Sequence, residues 1–169
     1  MNVHESWEQI HRFLERDFPS LIPTLEPGAT PEEIEALENA LLFTLPIDLK
    51  ASLMLHNGQL GDSGLFDFKS LFGCAAILTQ FNMAAEIYTA SGPAHPSERP
   101  ATDRIKTDEG WGKGWLPFAG FQCNLVVTDC LPPNQSHFGQ IFETDYQCPT
   151  EVLYESFSDW LAHYAQAFS

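Results

Sequence analysis

Apolar residues in the first third of the chain recur every three or four positions, the spacing that places them on one face of an α-helix. This pattern predicts three helices in succession. The first ends before Pro19, a capping box from Thr30 to Glu33 opens the second, and the third runs from about Pro46 to Asn57-Gly58. The predicted buried faces are Trp7, Ile10, Leu14 and Phe18, then Ile34, Leu37 and Leu41, then Leu49 and Leu53.

The rest of the chain predicts mainly short strands. Phe66 and Phe68 alternate with Asp67, which predicts a strand, and a stripe from Ile77 to Tyr88 predicts a fourth helix. Further strands are predicted near 115–119, 124–130, 139–144 and 151–154, and Ser156 caps a last helix. Between the fourth helix and these strands, at about 91–110, lies a segment with three prolines and no apolar periodicity, which we expect to be a long surface loop.

The order of these elements favours an α+β fold, because helices come first, short strands follow one another, and one helix closes the chain. Alternating βαβ units would have placed a helix after each strand. A chain of 169 residues with 44% hydrophobic residues can bury one full core and is too short for two domains of ordinary size. We therefore predict a single domain over residues 1–169.

The charge of the chain limits its partners. Twenty-three acidic residues and eight basic residues give a formal net charge of −15. Such a chain repels nucleic-acid phosphates and anionic membranes and attracts cationic proteins, although an acidic surface that serves only solubility is the open alternative. The sequence also has no apolar run near the ~20 residues that a membrane helix needs, and no signal peptide, so we expect a cytoplasmic protein.

Candidate chemistry is sparse. Four cysteines have no C-x-x-C spacing and are interpreted as small buried hydrophobic residues: Cys74, Cys123, Cys130 and Cys148. His56 follows a predicted helix end, where an imidazole more often caps the helix than catalyses a reaction. The sequence therefore predicts no enzyme, no metal and no cofactor, and a monomer or weak dimer.

One pattern in the second half is distinctive. Trp111 and Trp115 lead into Leu-Pro, a turn ends in Asn124, an apolar strand ends in Asp129, and Gly-Gln-Ile follows at 139–141. The first half adds Pro-Gly-Ala-Thr-Pro-Glu-Glu-Ile at 27–34, Leu-Pro-Ile-Asp-Leu-Lys at 45–50 and His-Asn-Gly-Gln at 56–59. In order and spacing these segments resemble the SUKH superfamily, the Smi/Knr cell-wall-assembly-regulator family. The resemblance implies one twisted, mostly antiparallel sheet with helices packed around it.

The same resemblance implies two functions. Bacterial members are implied to be immunity proteins, and fungal members to be regulatory scaffolds of cell-wall synthesis. A short single domain without disordered arms favours the bacterial type, so we expect a non-catalytic immunity protein that sequesters a basic polymorphic toxin, with nucleases among the candidates. The alternative is a cytosolic regulatory scaffold of the cell-wall-synthesis-regulator type.

An acidic edge is the predicted partner-binding site. Acidic residues accumulate at the predicted sheet edge and its loops, where they would meet a cationic protein first: Asp103, Asp108, Glu109, Glu143 and Asp145. Glu143 and Asp145 are two positions apart and would share one face of an extended strand.

Overall fold

A computed structural model describes residues 1–61, 64–91, 104–105, 113–145 and 149–168. In this part of the chain five α-helices surround one four-stranded antiparallel sheet. The helices are α1 (Val3–Asp17), α2 (Pro31–Leu41), α3 (Ile47–Leu55), α4 (Cys74–Ser91) and α5 (Phe157–Ala167). The strands are β1 (Ser70–Leu71), β2 (Trp115–Phe121), β3 (Asn124–Asp129) and β4 (Ile141–Thr144), in the spatial order β1-β2-β3-β4. The predicted α+β class is confirmed.

Local capping explains where three helices begin. The hydroxyl of Thr30 accepts a hydrogen bond from the Glu33 backbone N–H, and the Glu33 carboxylate accepts one from the Thr30 backbone N–H. This is the predicted capping box. Ser156 caps α5 as predicted, and α1 has a capping box between Asn2 and Glu5 that the sequence reading did not name.

Asn57 and Gly58 follow α3 and contact the backbone at the start of α4. Gly58 has a φ of +98°, and a Cβ atom there would lie 2.4 Å from the backbone nitrogen of Gly73. Only glycine permits this close approach. The Asn57 side chain accepts a hydrogen bond from the backbone N–H of Cys74, the first residue of α4, at 2.8 Å.

Two strand predictions are wrong. Residues Phe66 and Lys69 exchange two backbone hydrogen bonds around Asp67 and Phe68, both with positive φ, so this segment is a tight hairpin turn. The strand that joins the sheet is the next segment, β1. The predicted strand at 151–154 contributes only one isolated bridge, between Tyr154 and Ile141.

Both faces of the sheet are covered. Leu116, Phe118, Val126 and Ile141 belong to the main core, which the helices share. A second cluster on alternate positions contains Trp115, Leu125, Val127 and Phe142, with Ala84 of α4 and Ile105 packed against them. Apart from Ser91, Arg104 and Ile105, the predicted surface loop at 91–110 lies outside the described residues. Ile105 is only 3% exposed, so the chain is attached to the core at that point.

Candidate functional site

Among the described residues, no group of three or more histidine, cysteine or acidic side chains is arranged to hold a metal ion. Cys74 and Cys130 are buried as predicted, whereas Cys123 is exposed because it lies in the turn between β2 and β3. Cys148 lies outside the described residues. Burial strongly raises the pKa of the Cys130 thiol, which keeps it protonated and unsuited to nucleophilic attack. No described helix is long and apolar enough to cross a bilayer.

The acidic edge is only partly described. Glu143 lies on β4, the outer strand of the sheet, and Asp145 follows that strand. The Glu143 carboxylate lies 3.1 Å from the ammonium of Lys69, so a neighbouring cation offsets part of its charge. Asp103, Asp108 and Glu109 lie outside the described residues, and partner binding at this edge stays a prediction.

Asp129 and Gln140, which belong to two of the motifs noted in the sequence, form a buried polar cluster. The amide of Gln140 donates to the Asp129 carboxylate at 3.2 Å and to the Arg104 carbonyl at 2.8 Å. Arg104 in turn forms an ion pair with Glu155 at 2.6 Å. Burial raises the pKa of Asp129, while the hydrogen bonds from Gln140 and from the Leu131 backbone N–H oppose that shift. These contacts join β3 to distant segments, which is a structural role.

A largely apolar opening in the described surface lies between α1, α2 and α3. We call it the helix groove: a cleft of about 570 Å³ whose apolar lining includes Val3, Ile34, Ile47, Ala51 and Met54. Every residue that lines it belongs to one of these three helices.

Helix α3 creates this groove because it is apolar on two faces. Leu49 and Leu53 are buried in the main core. Ile47, Ala51 and Met54, at positions i, i+4 and i+7, form a second apolar stripe that faces solvent. Ile47 is 81% exposed and Met54 is 53% exposed. An exposed contiguous apolar surface of this kind is a feature of interaction sites.

Charged side chains border the helix groove. Lys50 and Glu38 form an ion pair at 3.0 Å, and the same Glu38 oxygen accepts a hydrogen bond from the Leu45 backbone N–H. Glu35 is exposed at the rim and forms no ion pair with a described residue. The groove therefore has an apolar floor and one acidic group that a partner can neutralise.

A second cleft, of about 450 Å³, adjoins the helix groove along α1 and contains a histidine pair. The Nε2 atoms of His11 and His56 lie 2.8 Å apart, and Nδ1 of His56 lies 3.2 Å from the Glu26 carbonyl oxygen. Because a carbonyl only accepts, Nδ1 of His56 carries the proton and its Nε2 accepts from His11. Burial lowers the pKa of His56, the Glu26 hydrogen bond opposes that shift, and the proximity of His11 adds to it.

Sequence reasoning missed both clefts. The signal for the helix groove was present, since Ile47, Ala51 and Met54 repeat at helical spacing beside the predicted buried pair Leu49 and Leu53. His56 was interpreted as a residue that caps α3. It does follow that helix, but its ring contacts Trp7 of α1, with ring centroids 4.6 Å apart.

Comparison with known proteins identifies relatives of this fold. The sequence model of the SMI1 / KNR4 family (SUKH-1) matches residues 28–163 of this chain. The chain is 44% identical to a glucan synthesis regulatory protein of Neurospora crassa over 205 aligned positions, covering 99% of this chain and 38% of that protein. It is 28% identical to the cell wall biosynthesis/cell cycle regulator smi1 of Schizosaccharomyces pombe, covering 95% of this chain and 35% of that protein. Human F-box only protein 3 is 21% identical, with 97% and 34% coverage.

These relatives correct the functional prediction. They are eukaryotic regulators and F-box proteins, so the prediction of an immunity protein that sequesters a toxin is wrong. The expectation of a cationic partner rested on the net charge of −15, which favours encounter with any cationic protein and does not identify one. The chain spans about a third of the length of these relatives. With most of its length matched by the family model, the chain belongs to the SMI1 / KNR4 family (SUKH-1).

Proposed function

We propose that this chain is a non-catalytic protein-binding module of a cytosolic regulator of cell-wall or glucan synthesis, and that it holds a segment of a separate protein in the helix groove. The observation that carries the proposal is the solvent-facing apolar stripe of Ile47, Ala51 and Met54. Burying these side chains against a partner removes apolar surface from water, which favours association.

A separate protein fits the groove better than a second copy of this chain. Two copies would each carry a formal charge of −15, and their repulsion opposes self-association. The names of the Neurospora crassa and Schizosaccharomyces pombe relatives support a regulatory setting. Because those proteins are about three times longer, the regulatory output of a whole protein is part of the proposal.

A chimera tests this function. The matching region of the Neurospora crassa regulator is replaced by this chain, and cell-wall glucan is measured in a strain that lacks the regulator. We expect the wild-type chimera to restore glucan and the Ile47→Asn/Met54→Asn chimera to fail, because two exposed apolar contacts are lost.

The matched control replaces two exposed apolar residues outside the groove, Leu42→Asn and Phe68→Asn, which are 90% and 81% exposed. This chimera should restore glucan as well as wild type, and thermal melts of the three isolated chains should show that all are folded. Full restoration by the groove variant would refute the proposal.

A further inference from the structure

We propose that the segment held in the helix groove is an α-helix with one apolar face flanked by lysine or arginine. This inference rests on the proposed function and adds the conformation and charge of the partner segment. It follows from the backbone, the side-chain spacing and the charges of the groove.

The backbone of the groove favours a helical ligand. All lining residues belong to α1, α2 or α3, so their backbone groups are largely engaged within helices. No strand edge lines the groove in the described residues. An extended peptide would thus lay unpaired N–H and C=O groups over an apolar floor, at a cost in free energy, whereas a helix satisfies its own backbone groups.

The spacing of the stripe sets the contact pattern. Ile47 and Met54 are seven residues apart on α3, a distance of about 10 Å along the helix axis. The small side chain of Ala51 lies between them and leaves a notch for a larger side chain of the partner. A partner helix with apolar residues at positions i, i+3 or i+4, and i+7 matches this surface.

The charges of the groove and the adjoining cleft favour a basic partner. Four carboxylates line the two clefts, and Lys50 and Arg12 are the permanent cations among their described lining residues. Lys50 is already bound to Glu38. Glu35 at the helix groove and Glu15 in the adjoining cleft are exposed and form no ion pair with a described residue. Their carboxylates would therefore attract lysine or arginine on the partner.

Three fluorescein-labelled model peptides test this inference on the full chain. The first has leucine along one helical face and lysine elsewhere, the second has glutamate in place of lysine, and the third has the composition of the first in a scrambled order without an apolar face. We expect fluorescence anisotropy to show the tightest binding for the first peptide. Its affinity should fall as NaCl rises from roughly 50 mM to 500 mM, because salt screens the acidic rim.

Two variants and a matched control place the peptide. Ile47→Asn/Met54→Asn should weaken binding of the leucine-lysine peptide by roughly tenfold or more, since apolar anchors dominate such contacts. Leu42→Asn/Phe68→Asn should bind like wild type. Glu35→Gln should keep most of the affinity and reduce its salt dependence.

Equal binding of the scrambled or the leucine-glutamate peptide would overturn the inference, and so would wild-type affinity in the groove variant. Sedimentation that shows a dimer of the wild-type chain, lost in the groove variant, would overturn the choice of partner. If no peptide binds while the groove chimera still fails to restore glucan, the helical basic ligand is refuted and the proposed function stands. If that chimera restores glucan, the proposed function fails whatever the peptides do.

Discussion

His56 couples protonation to stability. Burial lowers its pKa in the folded protein, so the folded state binds this proton more weakly than the unfolded chain does. The contribution of the neutral ring is therefore fully present above the unfolded pKa of about 6.5 and is lost as the pH falls below that value toward the folded pKa. A proton on Nε2 of His56 would also prevent that atom from accepting a hydrogen bond from His11.

We expect the melting temperature of wild type to fall more than that of His56→Gln when the pH is lowered from about 7.5 to about 5.5. The difference between variants is the quantity to follow, because acid also reduces the self-repulsion of a chain with a net charge of −15. His4→Gln is the control, because the His4 side chain is 70% exposed. Its melting temperature should change with pH as that of wild type does. If the melting temperatures of wild type and His56→Gln fell equally as the pH is lowered, the coupling between His56 protonation and stability would be contradicted.

Phe68 has an unfavourable backbone conformation for its residue type. Asp67 and Phe68 have φ angles of 49° and 66°, in a two-residue turn where Asn-Gly is the favoured pair. The Phe68 ring is largely exposed, so it gains little from packing.

We expect Phe68→Gly to raise the free energy of unfolding by about 1 kcal/mol, because glycine adopts positive φ without a steric penalty. Urea unfolding measures the change. Met54→Gly is the matched control, because it also replaces an exposed apolar residue but does so within a helix. It should lower the free energy of unfolding by about 1 kcal/mol. A loss of stability in Phe68→Gly would show that its ring makes a stabilising contact.

At the scale of elements, caps and helical periodicity predicted the helices well. Alternation of residues predicted the short strands poorly. A cap is formed by residues three apart, as in Thr30 and Glu33, so the sequence contains both partners. The alternation of Phe66 and Phe68 around Asp67 also fits a hairpin turn, and only the hydrogen bonds between Phe66 and Lys69 distinguish the two.

Thr30→Ala should destabilise the protein by about 1 kcal/mol, since the backbone N–H of Glu33 loses its acceptor. Chemical denaturation measures this difference. Thr79→Ala is the matched control: Thr79 is exposed within α4 and its hydroxyl donates to the Ala75 carbonyl, a bond that the helix does not need. Equal losses in the two variants would mean that the capping box contributes nothing specific.

At the scale of the whole molecule, Trp160 of α5 connects the helices to the sheet. Its ring packs against Phe118 of β2, with centroids 4.9 Å apart, and against Phe66 at 4.8 Å and Tyr164 at 5.1 Å. Only 2% of the residue is exposed.

Trp160→Ala should cost ~3–5 kcal/mol of stability, because the cavity it leaves cannot collapse among several fixed rings. Thermal and urea unfolding give this loss, with Phe68→Ala as an exposed aromatic control that should lose far less. A near wild-type melt for Trp160→Ala would mean that α5 does not anchor the core.

The sequence by itself determined the α+β class, the starts of α2 and α5 and the likeness to the SUKH superfamily. These features depend on residues close together in the chain, on periodic faces, and on the order of motifs. Leu49 and Leu53 were identified as buried for the same reason, because their spacing matches one face of α3.

Only the tertiary structure decided where a site could lie. Helix α3 is apolar on two faces, and periodicity alone cannot show that Ile47 and Met54 stay exposed after the other face is buried. His11 and His56 are 45 residues apart in sequence, and packing of α1 against the end of α3 brings their rings together. Long-range packing selects which apolar face remains open and which side chains meet, and that selection is not recorded in the local pattern of residues.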